Sequence, residues 1–259
     1  MHQLTITRPA ALGNRLAAAA AALAAAPPSV DVLLAELALG LERRTLDHLR
    51  APDPAPLVAA RYAAWTGDLA TIAAIWQPLR AAALRVLADD GAPDRARTCA
   101  ALERTATDLG DTRLAADLHR AARAADTPGP PGHPAAGDVL RIVHTILGLE
   151  PDAPRGRLVM RPRLDAMPAL AAHHIPFAAG SVRLDCSRSP LLLTCRVAQD
   201  AGAIPFTLLL EPHFTGRVRA ARVDGRAATL DSRLRDGVTA VPVQLLLDDE
   251  RVLSLELDA

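Results

Sequence analysis

Apolar residues recur every three or four positions up to about residue 148, and every second position beyond it. In the first part, Leu16 to Ala26 reads as an alanine-driven helix stopped by Pro27 and Pro28. Ser29 is placed to cap a helix in which Val30, Leu33, Leu34, Leu37 and Leu41 share a face. Pro52, Pro54 and Pro56 punctuate the next connection. A helix from about Leu57 to Thr66 follows, and Gly67 ends it. Asp68 caps the next, which runs to about Ala88 with Ile72, Ile75, Trp76, Leu79 and Leu87 on its apolar side. Arg95–Leu109, Thr112–Ala125 and Gly137–Leu147 complete the helical part, separated by Gly110 and by "DTPGPPGHPAAG", a connector too rich in proline and glycine for regular structure.

After "GLEPDAPRG" the period of two predicts strands at Arg157–Arg161, Ser181–Ser187, Leu191–Val197, Ile204–Leu210, Arg217–Val223, Val238–Leu246 and Val252–Leu257. The turn signals "SRSP", "DAG", "DGR", "RDG" and "DDE" separate them, and the alternation is that of half-buried antiparallel strands. A run of helices followed by a run of strands predicts an α+β chain, with a helical-hairpin domain over 1–150 and an antiparallel β-sandwich-like domain over 151–259. It speaks against a doubly wound nucleotide-binding sheet. The chain also has no Gly-rich phosphate loop, so no cofactor is expected.

Composition narrows the function classes. The chain has 259 residues, half of them apolar, enough for a sizeable core. Its 29 basic and 29 acidic residues balance, and every basic one is arginine. Without concentrated positive charge, nucleic acid and a polybasic membrane anchor are not expected partners. No stretch approaches the length of ~20 strongly apolar residues that spans a bilayer. The segment "NRLAAAAAALAAAPPS" superficially matches a secretory signal, but alanine is weakly apolar and a strong helix former. Cys99, Cys186 and Cys195 are too scattered for a disulfide framework or zinc site. Cys186 and Cys195 alternate with apolar strand positions, which makes them interior thiols and fits a reducing cytoplasm. His173 and His174 are adjacent, neighbours on an extended chain point oppositely, and no third ligand is nearby, so no metal site is expected.

One stretch is distinctive. "DPAPLVAARYAAWTGDLATIAAIWQPLRAAALRVL" holds both tryptophans and the only tyrosine of a chain that is 2% aromatic. It resembles the segment of six-hairpin glycosidases, notably the glycogen-debranching group, that reads D-x-T-P-L-(apolar)-R-Y-x-x-W-T-G-D before a helix containing Trp-Pro. The matching positions are Asp53, Pro56, Leu57, Arg61, Tyr62, Trp65, Thr66, Gly67, Asp68, Trp76 and, shifted by one, Pro78. "ALERTATDLGDTRLAADLHRAARA" and "AAGDVLRIVHTILGLEPDAPRGRLVMRPRL" are similar to later hairpins of that barrel and to the entry of its C-terminal β-domain. The resemblance implies that the helical half is part of an α/α toroid.

It also implies a loss. The family's toroid has twelve helices, whereas this chain predicts about seven. The insert that carries the family's general acid is reduced here to "DDGAPDR", and the loop that carries its base corresponds to "DTPGPPGHPAAG", which has no glutamate. Glycoside hydrolysis needs two carboxyl groups about 5–10 Å apart across the scissile bond. The resemblance thus implies a shortened relative that has no catalytic residues.

The same resemblance places Asp53, Arg61, Tyr62, Trp65 and Trp76 near a sugar pocket. From the residues alone, Tyr62 and Trp65 lie three apart on one helix with Trp76 on the returning helix, which is equally the geometry of a local aromatic core. Asp53 in D-P-x-P is equally a loop or capping residue, and Asp89 with Asp90 a solvated pair at a helix end. Three functions follow: a non-catalytic remnant that binds a glycan or protein partner, a helical-repeat interaction module, or a glycosidase completed by a homodimer that covers apolar helix faces. The repeat module is weakened because its period of about 34 residues does not recur.

Overall fold

In a computed structural model, residues 3–89, 95–123, 133–202 and 204–258 are described. Asp90, the last two residues of the helix expected to end at Ala125, and positions 126–132 of the connector lie outside them.

The helical part contains α1 (Ala10–Ala25), α2 (Val30–Ala38), α3 (Arg43–Leu49), α4 (Pro56–Thr66), α5 (Leu69–Ala74), α6 (Trp76–Ala88), α7 (Arg95–Asp108), α8 (Thr112–Arg123) and α9 (Pro134–Arg141). The local chemistry explains their ends. Ser29 Oγ accepts from the Val32 amide at 3.4 Å, Asp68 Oδ1 from Thr71 at 3.0 Å, and Asp111 Oδ1 from Leu114 at 3.1 Å. Gly67 stops α4 in the left-handed conformation at φ 72°. The helix expected from Asp68 to Ala88 is broken at Ile75, because Pro78 lacks an amide hydrogen and its ring would clash with the Ala74 carbonyl in a continuous helix.

The sheets are built from β1 (Thr5–Arg8), β2 (Glu150–Asp152), β3 (Arg157–Met160), β4 (Ala169–Phe177), β5 (Gly180–Arg188), β6 (Leu192–Ala201), β7 (Phe206–Leu210), β8 (His213–Phe214), β9 (Val218–Val223), β10 (Arg226–Ala228), β11 (Arg233–Arg235), β12 (Val238–Ala240), β13 (Val243–Leu247) and β14 (Glu250–Leu257). A seven-stranded sheet runs β1-β4-β5-β6-β14-β9-β10, a four-stranded sheet β13-β7-β3-β2, and a small one β11-β12-β8. The pairing is antiparallel except between β3 and β7, which run parallel. The strand expected over Val238–Leu246 is split at Pro242. Proline cannot donate to a ladder, and the chain passes there from the small sheet to the four-stranded one.

The molecule is therefore α+β, with helices first and antiparallel sheets after them. One apolar core runs through both parts, from Leu16, Leu33 and Leu57 to Leu193, Leu208 and Leu253. The N-terminal strand crosses from one part to the other: β1 pairs with β4 of the large sheet and leads straight into α1. Gly13 makes that contact close, since a Cβ there would sit 2.0 Å from the Ile6 carbonyl oxygen.

The doublet His173-His174 lies in an irregularity of β4, with His174 at φ 56°. The two rings face different carboxylates, Asp185 at 3.6 Å and Asp200 at 3.8 Å. Cys186 and Cys195 are buried and sit directly opposite each other on β5 and β6. Among the described residues, no group of three or more His, Cys, Asp or Glu is placed to hold a metal, and no helix is long and apolar enough to cross a membrane.

Candidate functional site

The two parts meet around α4. Helix α7 packs on one side of it, and the chain leaving α9 passes the other. That chain first makes a π-helical turn, Ile142–Ile146, in which Leu147 donates to the Ile142 carbonyl at 2.9 Å. Single π-turns displace the following side chains from the ordinary helical register. Gly148, at φ 61°, then reverses the backbone against Arg161, so that Leu149 and Glu150 enter β2. A cavity of about 500 Å³ opens between α4, α7, this turn and β2.

Its α7 wall follows from helical spacing. Arg97, Ala101, Arg104 and Asp108 fall at i, i+4, i+7 and i+11 and form one stripe. Across from it, α4 presents Ala60, Arg61, Ala63 and Ala64. Arg61 is half-buried, and burial followed by repulsion from Arg97 and Arg104 lowers its pKa, which Glu150 partly opposes. None of these three arginines makes an ion pair or a side-chain hydrogen bond. That is unlike Arg44, Arg80, Arg155, Arg161 and Arg163, each of which holds a carboxylate.

His144 opens onto the cavity and is exposed to it. Desolvation and then the positive Arg61 push its pKa down to about 4, so the ring is neutral at neutral pH. Nδ1 lies 3.1 Å from the Leu149 carbonyl, to which only a protonated nitrogen can donate. Nε2 is then an acceptor.

The cavity's carboxylates are all held. Arg155 donates to Asp108 at 2.8 Å and to Asp152 at 3.1 Å, bringing both to one guanidinium. Glu150 accepts from Arg161 at 2.5 Å, and the same arginine holds Glu211 at 3.0 Å. Asp108 is pushed upward by burial and by Asp152, against the pull of Arg155 and Arg104.

Of the residues singled out from the sequence, only Arg61 lines this cavity. Tyr62 and Trp65 are buried core side chains, each 3% exposed. Tyr62 donates to Asp68 Oδ2 at 3.0 Å, and burial together with that bond pushes its phenol up to about 12. Trp76 is partly buried, packed against the core. Asp53 is exposed and pairs with Arg85 at 2.5 Å. Sequence reasoning missed Arg97, Arg104, Asp108, His144, Glu150 and Asp152. The seven-residue spacing of Arg97 and Arg104 was visible, but not that α7 turns this stripe toward Arg61.

The comparisons enter here. An α-L-rhamnosidase from Dictyoglumus thermophilum aligns with 87% of this chain at a TM-score of 0.52 and 9% identity. The fold is like a glycoside hydrolase's. The chain spans 45% of that protein's length. A β-L-arabinofuranosidase from Geobacillus stearothermophilus, a family-127 glycoside hydrolase, aligns with 48% of this chain and 18% of its own, at a TM-score of 0.30 and 13% identity, and carries no argument. No family model and no curated protein matches the sequence.

Proposed function

We propose that this chain is a shortened, non-catalytic relative of the six-hairpin glycosidases that binds a saccharide in the cavity between α4, α7 and β2 and does not cleave it. The glycoside-hydrolase-like fold supports a carbohydrate-related role. The resemblance of residues 53–87 to glycogen-debranching enzymes supports the six-hairpin relation.

The observation that carries the non-catalytic reading is the state of the carboxylates. A glycosidase needs one carboxyl protonated to release the leaving group and a second, ionised one on the other side of the bond. Here Asp108 and Asp152 lie beside the same guanidinium rather than opposite each other, and Glu150 is held by Arg161. A second reading, hydrolysis with Asp108 as the acid, is favoured by the upward displacement of that one group.

A panel of immobilised neutral and acidic oligosaccharides tests the binding site. The wild-type chain should be retained on some of them, and Ala64→Trp, which fills the cavity from α4, should lose at least about tenfold in affinity, the equivalent of ~1.4 kcal/mol. Retention unaltered by that substitution would move the binding site elsewhere.

A further inference from the structure

The cavity contains more positive charge than the protein itself uses. Arg61, Arg97 and Arg104 converge on one space, Arg97 and Arg104 both repel Arg61, and among the described residues none of the three has an ion pair or a side-chain hydrogen bond. Like charges gathered around a half-buried guanidinium oppose folding unless something neutralises them. The carboxylates that could do so are turned to Arg155 and Arg161 instead.

The rest of the lining says what else the ligand carries. Around the arginines lie Ala60, Ala63, Ala64, Ala100 and Ala101, and among the described residues no Phe, Tyr or Trp lines the cavity. A neutral sugar would therefore find no phenyl, phenol or indole ring to stack on. It would find acceptors: the carboxylate oxygens of Asp108, Glu150 and Asp152, and Nε2 of the neutral His144. Arg97 and Arg104, two helical turns apart, are separated by about 10 Å along α7, a span of one to two sugar rings.

We infer that the cavity takes an acidic saccharide, its carboxylates held by Arg61, Arg97 and Arg104 and its hydroxyls donating to Asp108, Glu150, Asp152 and His144. Guanidinium groups match a planar carboxylate with paired hydrogen bonds, and such charge-assisted bonds are the strong ones. This inference rests on the reading of the cavity as a saccharide site and replaces the α-glucan implied by the sequence resemblance with a uronate-bearing ligand.

Calorimetric titration of the full chain with digalacturonate, maltotriose and inorganic phosphate tests it. Digalacturonate should bind, maltotriose should bind at least about tenfold more weakly, and phosphate should neither match nor displace the acidic sugar. Arg61→Gln and Arg97→Gln should each weaken digalacturonate binding at least about tenfold, with Arg61→Lys intermediate. A merely structural arginine would lower the melting temperature when removed. Here Arg61→Gln should leave it unchanged or raise it, because repulsion from Arg97 and Arg104 is relieved.

Equal binding of maltotriose and digalacturonate, indifferent to the arginine substitutions, would overturn the acidic ligand and leave the saccharide site standing. Phosphate binding as tight as the sugar acid would show an anion site without sugar recognition and overturn both. Binding of none of the three would do the same.

Discussion

His144 shows how the surroundings decide a side chain's chemistry. On the sequence it is one of eight histidines in an apolar helical stretch. In the fold, desolvation and the nearby Arg61 hold it neutral, with a pKa of about 4 against an ordinary 6.5. Between those values the unfolded chain binds the proton and the folded chain does not, so this residue makes stability fall as pH drops from about 6.5 to about 4. His144→Gln should flatten that part of the profile. Chemical denaturation midpoints of wild type and variant should converge as pH is lowered from about 7 to about 4.5, and a constant difference would contradict the shift. The aromatic residues teach the complementary lesson. Tyr62, Trp65 and Trp76 stood out in the sequence because rings are scarce, yet rarity measures neither exposure nor contact. Two are core, and the third is packed against it.

At the scale of elements, the sequence was informative where local chemistry sets the outcome. Ser29, Asp68, Gly67 and Gly110 mark helix ends that the structure places within a residue or two of expectation. Elements that exist only through distant partners were missed. Strand β4 is Ala169–Phe177, rich in alanine with a histidine doublet, and nothing local favours extension there. It becomes a strand because β5 pairs along one side and β1 along the other. The short β1 and α3 were missed for the same reason. The cavity was illegible on similar grounds, since its walls come from α4, α7 and β2, segments up to about ninety residues apart in sequence. Gly148 joins these scales. A methyl group there would meet Arg161 Cβ at 2.5 Å and its carbonyl oxygen at 2.6 Å, on a backbone already at φ 61°. Gly148→Ala should destabilise the chain by about 2–3 kcal/mol, read as a lower urea midpoint, and displace Glu150 from the cavity. An unchanged midpoint would show that the turn has room to adapt.

Across the whole molecule, the helices and sheets share a core, and the cavity lies where they meet. The sequence led to an expectation of apolar helix faces uncovered by a shortened toroid. Among the described residues, the large apolar side chains exposed on helices are Val30 and Leu84, while Leu191, Leu192, Ile204, Leu234 and Leu246 are exposed in the β part. The chain spans less than half of the rhamnosidase whose fold it shares. Among the described residues, around the cavity stand carboxylates bonded to arginines and three arginines without an ion pair or side-chain hydrogen bond.

Binding without cleavage is the central claim, and mass spectrometry of ligand recovered after prolonged incubation tests it most directly. Digalacturonate, maltotriose and an α-L-rhamnoside, each held with a stoichiometric amount of wild-type chain, should be recovered intact, with Asp108→Asn giving the same result. Steady release of monosaccharide that Asp108→Asn abolishes would contradict the account and make Asp108 the proton donor of a working glycosidase.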